Sequence, residues 1–142
     1  CQSDLFDTDW LPQQFGPFDA AVSSSCLHNL RDFQRISEIY SDIRTHLKPG
    51  GVFLNLDLVN APTLELQQHY VRVTAVRRQR EGASREDVTA MLQQAHQTHA
   101  HGPAHAFPAN LDEQLAALRA VGFTEVDCFW KDLRQALFGG YA

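Results

Sequence analysis

Apolar residues recur along the chain in two patterns, as short continuous runs and at helical spacing. Residues 18–24 and 51–59 are short, mostly apolar runs, which are typical of buried parallel strands. Between them, apolar residues recur at three- and four-residue steps over 32–47, which predicts a helix with one apolar face. Strand, helix and strand in this order predict a βαβ unit with parallel strands. The helix is predicted to stop at Lys48-Pro49-Gly50-Gly51, because proline cannot continue it and glycine accepts positive φ.

Residues 63–100 are polar and helical in character, with a break at Gly82-Ala83. Ser84 and Asp87 have the spacing of a capping box, so a second helix is predicted to begin there. With the loop that follows, this stretch is predicted to form a helical insertion or lid at about 63–105.

The last part of the chain predicts one more helix and two strands. Asn110 and Glu113 form a capping-box pattern, and Gly122 stands where helices commonly end. Residues 123–130 alternate in character and 136–141 follow after a tight connection, which predicts a terminal antiparallel hairpin. The chain is therefore predicted to be a single α/β domain.

Composition and charge narrow the function classes. The net charge of −5 argues against a protein that holds nucleic acid by bulk phosphate neutralisation. Three widely spaced cysteines favour a reducing, cytoplasmic location over a disulfide framework. Apolar stretches are far shorter than the roughly 20 residues that cross a bilayer, so no membrane partner is expected.

Four segments resemble class I S-adenosylmethionine-dependent methyltransferases in both order and spacing. They are Gln2-Ser3-Asp4-Leu5, Phe18-Asp19-Ala20-Ala21-Val22 with Leu27-His28-Asn29-Leu30, Leu47-Lys48-Pro49-Gly50-Gly51-Val52-Phe53, and Leu118-Arg119-Ala120-Val121-Gly122-Phe123. The resemblance implies a Rossmann-like methyltransferase sheet in the order 3-2-1-4-5-7-6, with S-adenosylmethionine at the carboxyl ends of the parallel strands. It also implies that the chain is the C-terminal portion of such a domain, from the end of strand 3 through strand 7.

On this resemblance, strands 1 and 2 are absent from the sequence, as is the glycine-rich turn that approaches the cofactor. No GxGxG-like loop occurs in the sequence. We therefore expect the 142 residues alone neither to bind S-adenosylmethionine tightly nor to methylate. Strand 18–24 is expected to have an open edge, which pairs either with upstream residues or with another copy in a homo-oligomer.

The same resemblance implies a cofactor site at two places in the chain. Asp4 matches the position whose carboxylate accepts from the adenine amino group, with the amide of Leu5 nearby. Ser23 and Ser24 follow strand 4, beside the expected position of the methyl-donor sulfonium. The alternatives are a solvated turn acid for Asp4 and ordinary loop chemistry for the serines.

Two residues are candidates for catalysis. His28 lies just past strand 4, and a near-neutral imidazole is suited to accept a proton from an acceptor oxygen or nitrogen. Asp57 ends strand 5 at the same edge, where it would bind or deprotonate the acceptor. A structural histidine and a hydrogen-bonded strand-end carboxylate are the alternatives.

Tyr70 and Arg72 are the candidate substrate-binding residues. Arg72 belongs to an arginine-rich stretch that would suit an anionic acceptor, or that forms a solvated helix face. Four histidines crowd a ten-residue stretch without the spacing of a tight metal motif, so we interpret them as a hinge with no metal. They are His96, His99, His101 and His105.

The function favoured by these residues is methyl transfer from S-adenosylmethionine to a small-molecule acceptor, in which alignment supplies much of the rate. One alternative is a tRNA wobble-base methyltransferase, favoured by the arginines. Another is a non-catalytic remnant or interaction module, favoured by the missing cofactor loop.

Overall fold

The computed structural model describes residues 3–12, 14–99 and 109–142, with only the backbone described for 94–99. Within these residues, four strands form one mixed sheet in the order β1-β2-β4-β3. The sheet pairs β1 parallel to β2, and β4 antiparallel to both β2 and β3. The predicted α/β class is confirmed, as are the parallel first pair and the antiparallel last pair. The strands are β1 Phe18–Ser24, β2 Leu47–Leu58, β3 Thr124–Asp132 and β4 Gln135–Tyr141.

The helices begin at residues that satisfy their first free amides. Asp32 accepts from the amides of Gln34 and Arg35, and the Ser84 hydroxyl accepts from the amide of Asp87. The capping box predicted for Asn110 is complete, with both reciprocal hydrogen bonds present. The helices are α1 Phe33–His46, α2 Leu64–Arg80, α3 Arg85–His99 and α4 Leu111–Ala120.

The helix ends close to its predicted stop, at His46, and Gly50 has the positive φ expected of it, but residues 48–51 belong to a strand. β2 starts at Leu47, directly after α1, and Leu47 pairs with Phe18 of β1. The amide of Gly50 donates to the carbonyl of Ala142, and the amide of Ala142 donates to the carbonyl of Gly51, both at 2.8 Å. The chain terminus therefore satisfies backbone groups that would otherwise be left free in a turn.

The core lies between the sheet and the helices α1 and α4. Tyr40 of α1, Phe53 of β2 and Leu118 of α4 are fully buried and belong to one hydrophobic cluster. The ring of Phe53 contacts those of Tyr40 and Phe123, with centroids 5.6 and 5.9 Å apart. This packing fixes β2 at the centre of the fold, so the residues at its carboxyl end occupy defined positions.

The strand register defines an opposite face of the sheet, away from this cluster. Val22 pairs with Leu54, and Leu56 pairs with both Ser24 and Leu137, so Val22, Leu54, Leu56 and Leu137 share that face. Val22 is 77% exposed and Leu56 is 36% exposed. Among the described residues, no helix combines the length and the apolar character needed to cross a lipid bilayer.

Candidate active site

The carboxyl ends of β1 and β2 bring His28 and Asp57 together. Ser24 pairs with Leu56, so Asp57 lies one residue beyond the end of the parallel pairing. After β1, the amide of Ser25 donates to the carbonyl of Leu56, and a short 3₁₀ helix follows at Leu27–Leu30. This tight turn holds His28 beside the end of the neighbouring strand. The two candidate catalytic residues are therefore adjacent although 29 positions separate them.

Asp57 is a buried carboxylate with three hydrogen-bond donors. Its side chain is 4% exposed, and it accepts from the amides of His28 at 3.1 Å and of Leu58 at 2.8 Å. The third donor is the imidazole of His28, whose Nδ1 lies 2.5 Å from Asp57 Oδ1. These donors replace the hydrogen bonds to water that the carboxylate loses on burial.

The contact with Asp57 determines the tautomer of His28. Because an ionised carboxylate only accepts hydrogen bonds, Nδ1 carries a proton and Nε2 is the free acceptor of the neutral ring. Nε2 makes no hydrogen bond to any described residue. The side chain is 21% exposed, so Nε2 is accessible to a small molecule. An imidazole oriented by a buried carboxylate is the arrangement of a general base.

A cavity of about 460 Å³ lies along β1 and reaches Cys26 and Leu27, which directly precede His28; neither His28 nor Asp57 lines it. Its walls are mostly apolar, from the N-terminal segment, β1 and α1. The hydroxyl oxygen of Ser23 is buried and has no hydrogen-bond partner. An unpartnered buried hydroxyl in an apolar wall is unfavourable unless a ligand supplies the partner. The lining residues that the argument uses are Leu5, Trp10, Ser23, Ser24 and Leu27.

Three of the four candidate cofactor residues lie at one cavity. Leu5, Ser23 and Ser24 all line this cavity. Asp4 is exposed in a turn, where its carboxylate accepts from the amide of Phe6 at 3.0 Å. Trp10, whose role the sequence left open, lines the cavity and donates its indole N–H to Asp42 at 2.8 Å. The structure thus orients the indole by a hydrogen bond to α1.

The candidate substrate residues lie on α2, which contacts the end of β3. The ammonium of Lys131 lies 4.8 Å from the ring centroid of Tyr70 and 3.4 Å from its hydroxyl. Arg77 forms an ion pair with Asp132 at 2.5 Å. Arg72 is exposed and makes no hydrogen bond or ion pair with a described residue. No observed contact joins Tyr70 or Arg72 to His28.

The buried hydroxyl of Tyr40 adds a polar group on the inner side of this site. It donates to Gln114 Oε1 at 2.7 Å. Burial raises the pKa of Tyr40 well above its usual range, and the nearby charge of Asp57 raises it further. Tyr40 therefore stays neutral, and it links α1 to α4 beneath the His28–Asp57 pair.

Three polar residues at the end of β2 were missed by the sequence analysis. Arg134, Gln67 and Asn60 lie together there, joined by contacts to Asn60 and its neighbour Ala61. Arg134 belongs to a short polar connection, where arginine is ordinarily solvated, so no sequence signal indicated its burial. Burial lowers the pKa of its guanidinium.

The described part of the chain contains no cluster of side chains suited to bind a metal ion. No group of three or more His, Cys, Asp and Glu side chains there is arranged to hold a metal ion. Cys26 and Cys128 are free thiols. The histidine-rich stretch lies outside the described residues, apart from the backbone of its first two members.

Solved structures with the same fold include proteins named as O-methyltransferases. An O-methyltransferase family protein from Burkholderia thailandensis matches with a TM-score of 0.58 and 18% identity, over 98% of this chain and 34% of its own. The structure of PigF with SAH matches with a TM-score of 0.55 and 14% identity, over 98% and 33%. A possible exported protein from Bordetella parapertussis matches with a TM-score of 0.57 and 16% identity, over 98% and 42%.

The chain thus spans between a third and about two-fifths of the length of these solved chains. No protein-family model matches the sequence, and no curated protein matches it. At such low identity the likeness concerns the fold alone. The chain has an α/β fold that it shares with proteins named as O-methyltransferases.

Proposed function

We propose that the chain belongs to an enzyme that transfers a methyl group from S-adenosylmethionine to a hydroxyl of a small-molecule acceptor, with His28 as the general base. The observation that carries the proposal is the 2.5 Å contact between His28 and the buried Asp57, at the carboxyl ends of two parallel strands. Open α/β sheets bind their ligands at these ends. The shared fold with proteins named as O-methyltransferases supports the same chemistry.

The described residues fit S-adenosylmethionine at the cavity beside β1. Small side chains of β1 line it and permit close approach, and the Ser23 hydroxyl lacks a partner there. The neighbour described with SAH supports this choice of cofactor. When bound, S-adenosylmethionine would supply an electrophilic methyl group on its sulfonium. On this proposal, Leu5, Ser23 and Ser24 contact the cofactor, with Asp4 close by.

The residues of the chain then perform two tasks. Nε2 of His28 accepts the proton of the acceptor hydroxyl, which makes the oxygen nucleophilic as it meets the methyl group. Asp57 holds the Nδ1 proton, so the ring keeps its orientation and its positive charge is stabilised once Nε2 is protonated. The helices α2 and α3, with Tyr70 and Arg72, would form the wall that covers the acceptor.

The experiment is a methyl-transfer assay on the gene product that contains these residues, with radiolabelled S-adenosylmethionine and a panel of small hydroxylated acceptors. We expect His28→Asn to lower kcat by about 10²–10⁴-fold, the usual contribution of a general base. His69→Asn, an exposed histidine of α2, is the matched control and should leave kcat unchanged. Full activity of His28→Asn, or transfer to no hydroxyl, would refute the proposal.

A further inference from the structure

Arg134 is a half-buried cation next to the end of β2. Its carbonyl accepts from the amide of Val59 at 2.8 Å, two residues beyond Asp57. Its Nη2 lies 3.4 Å from Asn60 Oδ1, a long hydrogen bond, and its Nε is buried with no partner at all. A half-buried guanidinium whose buried Nε has no partner, and whose Nη2 has one weak neutral partner, is an unfavourable arrangement for the chain by itself.

No carboxylate of the sequence pairs with Arg134. The ion pairs among the described residues join other groups. The remaining residues, namely 1–2, 13 and 100–108 together with the side chains of 94–99, include neither aspartate nor glutamate. No carboxylate of these 142 residues therefore serves as a counterion for Arg134.

Gln67 of α2 provides a second unpartnered donor beside the same two residues. It is 3% exposed, and its Oε1 accepts from the amide of Ala61 at 2.8 Å. That contact fixes the amide, so Nε2 is the free end, and it is buried without a partner. Arg134 bonds to Asn60 and Gln67 to Ala61, so the two free N–H groups flank adjacent positions of the chain.

Both unpartnered groups are donors, and one of them is charged. Their common complement is an anionic group with at least two acceptor oxygens. A planar carboxylate matches the fork of a guanidinium and accepts a further hydrogen bond from an amide. A polyphosphate backbone is disfavoured, because the chain carries a net charge of −5.

We propose that Arg134 and Gln67 form a subsite for a carboxylate of the acceptor, so that the methyl acceptor is a small hydroxycarboxylic acid. This inference rests on the proposed function, since it assumes that the hydroxyl of the same molecule meets His28. Val59, whose amide contacts Arg134, lies two residues from Asp57, which is about 7 Å along the backbone. The backbone of Arg134 therefore lies at the same end of β2 as Asp57.

The test is an NMR titration that follows the Nε–H resonance of Arg134 in the ¹⁵N-labelled gene product that contains these residues, assigned by its loss in Arg134→Lys. The probes are benzoate, its neutral isostere benzamide, and inorganic phosphate. We expect a saturable shift with benzoate and none with benzamide. A response to phosphate at lower concentration than to benzoate would overturn the choice of a carboxylate.

Three substitutions sharpen the titration. Gln67→Glu keeps the acceptor for Ala61 but replaces the free donor with a carboxylate, and it should weaken benzoate binding by about tenfold or more. Arg134→Lys keeps the charge but loses the fork, and it should weaken binding similarly, followed through backbone resonances. Arg78→Lys, an exposed arginine of α2, is the control and should bind as the unsubstituted chain does.

The outcomes separate this inference from the proposed function. His28→Asn should bind benzoate normally, because His28 is not part of the subsite. If benzoate binds through Arg134 but no hydroxyl is methylated, the proposed function fails and the anion subsite remains. If the Arg134 resonance shows no saturable shift, or if Gln67→Glu binds benzoate unchanged, the subsite as drawn is wrong.

Discussion

At the scale of single residues, the central feature is a histidine whose neutral ring is locked in one tautomer by a buried acid. Asp57 contacts both the amide and the ring of His28, so it fixes the position of the imidazole and the tautomer of its neutral form. A surface ion pair would supply neither, because solvent screens it and leaves both partners mobile. The burial of Asp57 is therefore the property that distinguishes this pair.

Asp57→Asn should show whether the negative charge of Asp57, and not only its shape, is needed to orient His28. The amide keeps the shape of the side chain but cannot hold the Nδ1 proton in the same way, so His28 should lose its preference for one tautomer. We expect a fall in kcat of about 10²-fold or more, together with mixed tautomers in ¹⁵N spectra of the ring. Asp19→Asn, which changes an exposed carboxylate paired with Lys48, is the control. An unchanged rate with an unchanged tautomer would contradict the role given to Asp57.

Tyr40→Phe should destabilise the protein, because it removes the buried hydrogen bond from Tyr40 to Gln114. The substitution leaves Gln114 Oε1 without its donor, so the free energy of unfolding should fall by about 1–3 kcal/mol. The raised pKa of Tyr40 means that the folded state holds its phenolic proton more tightly than the unfolded state does. Its contribution is thus complete below about pH 10 and declines as the pH rises above that value.

Denaturant titrations between neutral and strongly alkaline pH would check this prediction. Tyr40→Phe should flatten the alkaline loss of stability, whereas Tyr141→Phe, which changes an exposed tyrosine, should not. Equal alkaline profiles for all three proteins would mean that Tyr40 ionises as readily when folded as when unfolded.

At the scale of elements, the sequence predicts most strands of the sheet but only part of the candidate active site. Residues 18–24 and 33–46 lie where the apolar pattern predicts, because burial in one core imposes that periodicity directly. The start of β2 was mispredicted, because Leu47 pairs with Phe18 and Gly50 bonds to the distant Ala142, and no local pattern reveals such contacts. His28 and Asp57 were predicted by resemblance at one sheet edge, but their direct contact depends on the 3₁₀ turn after β1.

Gly139 tests the pairing of β2 with β4. A Cβ atom at this position would overlap the carbonyl oxygen of Phe53 on the neighbouring strand. We expect Gly139→Ala to lower the free energy of unfolding by about 3 kcal/mol or more, since backbone atoms cannot move aside without opening the ladder. Gln135→Ala, an exposed change on the same strand, should cost far less. Chemical denaturation of both variants measures the difference, and equal stabilities would show that the strands can separate freely.

At the scale of the whole molecule, β1 is an edge strand with little cover. Parallel strands are ordinarily buried on both faces, yet most residues of β1 are exposed and Val22 is 77% exposed. The apolar cavity lies along the same strand. An uncovered apolar edge is a surface on which another strand can add.

We therefore expect the 142-residue chain to self-associate through β1. Size-exclusion chromatography with light scattering should give a mass above that of one chain, and Val22→Lys should shift it towards the monomer, because a lysine blunts the edge. A monodisperse, well-folded monomer would mean that β1 does not behave as an interior strand.

The most direct measurement is a crystal structure, with S-adenosylhomocysteine, of the gene product that contains these residues. We expect the ligand in the cavity beside β1, with Ser23 and Ser24 against it and its sulfur facing the side of the site where Nε2 of His28 is free. The Ser23 hydroxyl, which lacks a partner in the chain, should then have one. A ligand bound away from the ends of β1 and β2, or a His28 turned from Asp57, would contradict methyl transfer at this site.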